Sequence, residues 1–159
     1  MVLVRDMQAA DLGAVGTLAE ALVRLHHQWD TTRFFTTPDV AEGYRRFFRG
    51  QLGDERTLLL SAELDGRVVG YLYGTVEGRD WAKLLDPHGA VHDVFVDASA
   101  RRHGVARALL EAARARFAAR GLVRVVLYSA TANEEGQALF RSLGYRPTMV
   151  ELTLDLGPK

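Results

Sequence analysis

The stretch from Ala90 to Tyr128 constrains the fold more than any other part of the chain. It opens with the apolar run "AVHDVFVD", a strand at about Ala90–Asp97. A helical pattern follows Gly104, with Val105, Leu109, Ala113 and Phe117 on one face, and it ends near Gly121. Leu122–Tyr128 then reads as a second buried strand. A strand–helix–strand unit of this length closes as a crossover between parallel strands. Upstream, Thr57–Leu64 and Arg67–Val76 are strand runs joined by Asp65-Gly66, a strong signal for a tight hairpin turn. A hairpin meander feeding such a crossover implies an α/β fold, a mixed central sheet with helices on both faces.

The other elements fit around this frame. Residues 2–6 read as a short strand. An amphipathic helix spans about 10–27, with Leu12, Val15, Leu18, Leu22 and Leu25 at three- and four-residue spacing. The polar stretch Asp30-Thr-Thr-Arg33 interrupts it. Pro38 suits the first position of a second helix running to about Gly50, with Val40, Tyr44 and Phe47 on its buried side. A polar loop containing Asp86-Pro87-His88-Gly89 precedes the crossover. Thr131 and Glu134 have capping-box spacing for a last helix that stops at Gly144, and Tyr145–Leu156 supplies further strand material. The sheet is therefore expected to hold about six to seven strands. No repeat or linker divides the chain, so one domain over 1–159 is expected.

Composition narrows the function classes. The formal net charge is zero, which argues against a nucleic-acid binder held by a broad basic surface. There is no cysteine, so disulfides, thiolate metal sites and a cysteine nucleophile are excluded. His26 and His27 are adjacent, and neighbours on a helix diverge by about 100°, so no metal site is expected. Neither a signal-peptide pattern nor a membrane-spanning apolar run is present in this sequence, and a cytoplasmic location is the expectation. The zero charge hides an asymmetry. Arg101 to Arg124 holds seven arginines against one acid, Glu111, while Asp54 to Asp97 holds nine acids against four basic residues. One reading is solvated faces that cancel; the other is a basic end for an anionic ligand and an acidic end for a cationic one.

"RRHGVARALL", Arg101 to Leu110, carries the first chemical signal. The first amides of a helix have no internal acceptor and lie at the positive end of its dipole. A phosphate fits there if the backbone can approach closely. Gly104 removes a side chain at that approach and Ala106 keeps the next turn narrow, while Arg101, Arg102 and Arg107 can add charge-assisted bonds. A dinucleotide-binding Rossmann reading fails, because it needs three spaced glycines after the first strand and this chain has one after the fourth.

These features resemble the GNAT superfamily of acyl-CoA-dependent N-acetyltransferases. Its pyrophosphate loop reads Arg/Gln-x-x-Gly-x-Gly/Ala, and Arg101-Arg-His-Gly104-Val-Ala106 matches. "NEEGQALFRSLGYRP", from Asn133, is similar to the family's later Asn-x-x-Ala-x-x-(Phe/Leu)-Tyr-x-x-x-Gly-Phe segment, and the order of elements matches over essentially the whole chain. The resemblance implies acetyl-CoA as co-substrate. It implies that the backbone of Val94, Phe95 and Val96 pairs with the pantetheine arm like an added strand. Amides from Arg102 through His103, Gly104, Val105 and Ala106 to Arg107 would cradle the pyrophosphate, and Asn133 would contact the cofactor at the next helix.

Acetyl transfer needs an amine to lose a proton and attack a thioester. His92 stands where polyamine acetyltransferases of the superfamily carry glutamate and arylalkylamine acetyltransferases carry histidine. With Asp93 it forms the pair of base candidates, and an imidazole suits neutral pH. Strict alternation sends the two side chains to opposite faces of the sheet, so one alone should face the acceptor unless a bulge intervenes. The plain structural alternative is a packed strand histidine and a hydrogen-bonded aspartate. The family's usual general acid, a tyrosine on the last helix, is here Phe140, which cannot protonate a thiolate and is expected to wall the cofactor.

In the family the acceptor pocket lies by the two N-terminal helices and the third strand. Trp29, Phe34 and Tyr73 are candidate walls and Asp30 a candidate partner for an ammonium group. Arg33 points the other way, toward an acceptor carboxylate. The leading expectation is an N-acetyltransferase acting on a small-molecule primary amine, polyamine-like or an amino acid. The competing readings are a protein lysine or N-terminal acetyltransferase and a non-catalytic acyl-CoA sensor. A small-molecule amine is the expected partner, with a homodimer left open; neither nucleic acid nor membrane is expected.

Overall fold

The computed structural model describes residues 1–158. Strand β1 (Val2–Asp6) is followed by a single 3-10 turn and helix α1 (Leu12–Trp29), then α2 (Val40–Gln51). Strands β2 (Thr57–Leu64), β3 (Arg67–Glu77) and β4 (His88–Val96) form the meander, and α3 (Val105–Ala119) crosses over to β5 (Val125–Leu127). Helix α4 (Glu134–Ser142) comes last. The five strands lie side by side in chain order, antiparallel from β1 to β4 and parallel between β4 and β5. Asp65 and Gly66 both take positive φ, 52° and 76°, the turn whose twist matches a two-residue hairpin.

Each face of the sheet is covered. On one, Leu58, Leu60, Leu72 and Val91 pack against Leu109, Leu110, Ala113 and Phe117 of α3 and Phe140 of α4. On the other, Leu59 and Tyr71 meet Leu12, Val15, Leu18 and Ala19 of α1 and Phe48 of α2. Each such fully buried aliphatic or aromatic side chain stabilises the fold by about 1.5–3 kcal/mol. One buried carboxylate sits between the layers. Asp11 accepts from both Arg5 Nη atoms, at 2.6 and 2.8 Å, and from Ser61 Oγ at 3.0 Å. The Arg5 guanidinium holds it below the usual carboxylate range. Among the described residues no helix is long and apolar enough to cross a membrane.

Several boundaries depart from the sequence reading. Among the described residues five strands are present, where about six to seven were expected. The strand expected over 122–128 is confined to Val125–Leu127, because the amide of Leu122 turns back to cap α3 through the carbonyl of Phe117 at 3.3 Å. The strand expected within 145–156 is irregular chain with no ladder partner among the described residues. Helix α2 starts at Val40; Pro38 lies in the turn before it, and the amide of Gly43 makes the first helical bond to the carbonyl of Asp39 at 2.9 Å. Its buried stripe runs Val40, Tyr44, Phe48, a strict four-residue spacing that leaves Phe47 46% exposed. Helix α4 is capped by Asn133 instead of Thr131: its side-chain oxygen accepts from the amide of Gly136 at 3.1 Å.

Candidate active site

The site is built where β4 leaves β5. β4 and β5 pair only from Gly89 with Val125 to Val91 with Leu127, yet β4 continues to Val96. Beyond Val91 the strands part, and among the described residues the β4 backbone from His92 to Val96 pairs on its β3 side alone. Val94, Phe95 and Val96 stand opposite Leu72, Tyr71 and Gly70 of β3, so their other backbone edge faces the gap.

A bulge stands at the point of parting. Tyr73 is paired with Asp93 and Gly74 with Val91, which leaves His92 as the extra residue of β4. The bulge undoes strict alternation and turns His92 and Asp93 to the same face. On that face β3 presents Tyr71, Tyr73 and Thr75, every second residue. Tyr71 Oη donates to Asp93 Oδ2 at 3.0 Å. The His92 ring lies 4.9 Å from that of Tyr73, and its Nε2 is 2.7 Å from Thr75 Oγ1.

The protonation pattern follows from the donors available. Thr75 has one hydroxyl proton and gives it to Glu77 Oε1. Nε2 of His92 must therefore carry hydrogen and donate to Thr75, which leaves Nδ1 with the lone pair. Burial pushes the His92 imidazolium below the ordinary histidine value, against the pull of Asp93 and Glu77. Burial also pushes Asp93 up, opposed first by the Tyr71 hydroxyl and then by His92. Tyr71 and Tyr44 are both raised by burial and by the Asp93 charge, so their phenols stay protonated and available as donors.

Two adjoining cavities open here, of about 290 and 350 Å3. They share Val23, Phe35, Tyr44 and Asp93. The first is also lined by His92, Val94, Phe34, Arg33, Asn133 and Phe140, the second by Phe47 and Tyr73. Phe140 is 8% exposed and belongs to the core as well as to the cavity wall.

At the far end of β4 the chain turns through Arg101–Gly104 into α3. Arg102 and Gly104 have φ of 64° and 77°, and no heavy atom beyond the adjoining residues lies within 4 Å of where a Gly104 side chain would begin. The first helical bond of α3 runs from the amide of Ala108 to the carbonyl of Gly104 at 2.9 Å, so the amides of Val105, Ala106 and Arg107 precede the ladder. Arg101 lies 6.0 Å from the Phe95 ring, Arg102 is exposed, and His103 Nδ1 donates to the carbonyl of Arg101 at 2.9 Å. The Arg107 side chain runs toward α4, donating to Ser142 Oγ at 2.8 Å. These positions fit a diphosphate on a pantetheine-like arm: a bare backbone edge leads to unladdered amides at an open glycine.

Trp29 and Asp30 line neither cavity. The Asp30 carboxylate accepts from the amides of Thr32 and Arg33 at 3.0 Å and so shapes the turn that carries Phe34. Trp29 and Phe34 both pack edge-on against His26. Sequence reasoning missed Thr75, Glu77, Phe35 and the site role of Tyr44. The alternation Tyr71, Tyr73, Thr75 on β3 was the available signal for Thr75. Among the described residues no group of three or more histidine and carboxylate side chains is placed to hold a metal ion.

Known proteins resemble this chain in sequence and in fold. The family model described as "Acetyltransferase (GNAT) family" matches residues 22–145, well over half of the chain. The mycothiol acetyltransferase of Thermomonospora curvata is 34% identical over 101 residues, 63% of this chain and 31% of that protein. The chain thus spans about a third of the length of the curated relatives it matches. The crystal structure of a GCN5-related N-acetyltransferase from Ralstonia eutropha JMP134 superposes with a TM-score of 0.74 at 24% identity, covering 99% of this chain and 100% of that one. AAC(6')-Iy in complex with a bisubstrate analog, CoA-S-monomethyl-acetylneamine, superposes at 0.78 with 19% identity, covering 99% of each chain.

Proposed function

The chain belongs to the acetyltransferase (GNAT) family, and from that premise we propose that it transfers an acetyl group from acetyl-CoA to the primary amine of a small molecule. The observation that carries the reading is the His92 bulge. It sets a neutral imidazole and a carboxylate on one face, at the mouth of the gap that leads to Gly104. We read residues 1–159 as one such domain acting in the cytoplasm.

The parts divide the work. The backbone of Val94, Phe95 and Val96 would hold the pantetheine arm, and the amides from Arg102 to Arg107, with His103 and the Arg101 charge, would hold the diphosphate. Asn133 and Phe140 wall the first cavity near the point where β4 and β5 part. Bound there, acetyl-CoA supplies an activated thioester. Nδ1 of His92 takes the proton of the incoming ammonium, and the Glu77–Thr75 chain keeps that nitrogen unprotonated and in place. Asp93 holds the positive charge on the amine before transfer. Fixing both partners in this geometry supplies several kcal/mol, about 7–11 in favourable cases. A thiolate of pKa about 8.5 needs no acid to depart, so Phe140 in place of a tyrosine leaves the chemistry intact.

The cavity linings favour a cationic amine. Phe34, Phe35, Tyr44, Phe47 and Tyr73 supply aromatic faces and Asp93 a carboxylate. Arg33, which would attract an acceptor carboxylate, is paired with Glu151, with Nη2 to Oε2 at 2.9 Å. That pairing supports a polyamine-like acceptor over an amino acid. Trp29 and Asp30 back the wall from behind through His26 and the Asp30 turn. The names of the relatives, mycothiol acetyltransferase and AAC(6')-Iy, lend support to a small acceptor.

A thiol-release assay with acetyl-CoA and a panel of amines tests the reading, and a chain without cysteine adds no background. Turnover should appear with cationic small amines. Release with peptide amines alone would favour a protein acetyltransferase, and calorimetric CoA binding without any turnover would favour a sensor.

A further inference from the structure

Two histidines stand side by side near the end of α1, and the fold gives them different partners. His27 Nδ1 donates to the carbonyl of Phe34 at 2.8 Å and so ties the α1–α2 connection back onto α1. His26, about 100° round the helix from it, lines the first cavity together with His92 and Asp93. Its ring meets Trp29 edge-on at 4.9 Å and Phe34 at 5.1 Å.

A backbone carbonyl sets the His26 tautomer. Nδ1 lies 2.8 Å from the carbonyl oxygen of Leu22, one turn back along α1. A carbonyl only accepts, so Nδ1 carries the hydrogen and the neutral ring keeps its lone pair on Nε2. No protein group bonds Nε2 among the described residues. Nor is it sealed in the core, since every buried side-chain nitrogen or oxygen described has a partner. Nε2 is therefore accessible, on a ring that walls the cavity.

An ammonium group has three N–H donors, and taking it out of water costs least when all three are bonded. Under the acetyl-transfer reading, Asp93 accepts one and His92 Nδ1 another. The other polar side chains on the α1–α2 wall of that cavity are Arg33 and Tyr44. A guanidinium has no acceptor, and the Tyr44 phenol is turned to Asp93. Nε2 of His26 is thus the strongest unbonded acceptor on that wall. Burial raises the Asp93 carboxyl, and His26 is close enough that its charged form opposes that rise.

We propose that His26 Nε2 accepts the third hydrogen of the acceptor's ammonium group and so restricts the site to primary amines. The proposal rests on the acetyl-transfer reading and adds to it a residue that counts hydrogens on nitrogen. Once one proton has passed to His92, the two hydrogens left stay held by Asp93 and His26. With all three positions occupied, an N-methyl group has to displace one of these bonds and leave its acceptor facing a methyl.

Putrescine and N,N′-dimethylputrescine, alike in chain and charge, probe this by calorimetry on the protein with CoA bound and by thiol release from acetyl-CoA. Wild type should bind putrescine at least tenfold more tightly and show at least tenfold higher kcat/KM with it. His26→Phe keeps a ring against Trp29 and Phe34 without a lone pair, and should lose the preference. His26→Gln has no ring but offers an amide oxygen near the Nε2 position, and should keep it. Both should retain the wild-type circular dichroism and CoA affinity. Were His26 mere packing, the two variants would change places. A preference that survives in His26→Phe, one lost in His26→Gln as well, or none in wild type overturns the proposal. Equal turnover of the two amines leaves acetyl transfer standing and removes His26 from selection. A calorimetric preference for putrescine without thiol release does the reverse, and if neither amine binds or reacts, both fall.

Discussion

Tyr71 and Asp93 reach each other across β3 and β4, with the buried phenol donating to Oδ2 at 3.0 Å. This bond works against burial, which pushes the Asp93 carboxyl up. A carboxyl raised in the folded state costs nothing at pH values below its unfolded pKa of about 3.9, where both states are protonated. Its penalty grows as pH rises from the unfolded towards the folded value, where the unfolded chain is ionised and the folded group is not, and is complete once the folded group is charged too. Tyr71→Phe removes a hydrogen bond to that charge, worth about 1.5–3 kcal/mol. The stability deficit of the variant should therefore be larger at pH 8 than at pH 4, as read by urea unfolding at both. Equal deficits would mean that Asp93 stays neutral throughout.

His92 is expected to set the acid limb of activity. Burial holds its imidazolium below the ordinary histidine value. The base is thus already unprotonated at neutral pH, and kcat/KM should remain level down to below about 6.5 before falling. His92→Gln should cost roughly 10²–10⁴-fold if the imidazole is the sole base. Thr75→Val frees Nε2 to lose its proton, mixes the tautomers and should cost less, on the order of tenfold, with folding intact. Full kcat/KM in His92→Gln across pH 6 to 9 would pass the role to Asp93.

What could be read in the sequence was whatever is encoded locally. The Asp65-Gly66 turn needs two positive φ values in succession, and residues 65 and 66 supply them. The Gly104 helix start and the periodicity of α3 are equally local. The His92 bulge is not, because it exists only in the register between β3 and β4, and alternation along one strand cannot announce it. Tyr44 was legible as a buried helix position. Its approach to Asp93 depends on how α2 lies over the sheet. Trp29 and Asp30 carried chemistry suited to an acceptor pocket, yet the Asp30 turn spends that carboxylate on backbone amides. The residues after Tyr145 were legible as a strand by pattern, while strand pairing is a property of two segments and their register.

Gly104 separates geometry from charge in the proposed diphosphate site. Its φ of 77° strains any other L-residue by about 1–2 kcal/mol, but the space around it is open. Gly104→Ala should therefore cost mainly stability and weaken CoA binding only a few-fold. Gly104→Glu adds a carboxylate before the amides of Val105, Ala106 and Arg107 and should weaken binding at least tenfold more than the alanine variant. Calorimetry with CoA on both variants decides this, and equal affinities would place the diphosphate elsewhere.

Phe140 joins the core to the site, and its two substitutions should part along that line. The ring packs 6.0 Å from Tyr145 within the cluster under α3, and its edge reaches the first cavity with Asn133. Phe140→Ala removes a nearly buried ring and should destabilise by about 3–5 kcal/mol, seen as a lower denaturation midpoint with an unchanged slope. Phe140→Tyr keeps the ring and adds a hydroxyl at the cavity wall, where the superfamily usually carries a tyrosine as acid. If a thiolate leaves without a proton, that hydroxyl should change kcat only a few-fold, with any gain largest below pH 8.5, where a protonated leaving group is favoured. A rate loss of a hundredfold or more in Phe140→Tyr, with unfolding unaltered, would show that the apolar wall itself is needed for transfer.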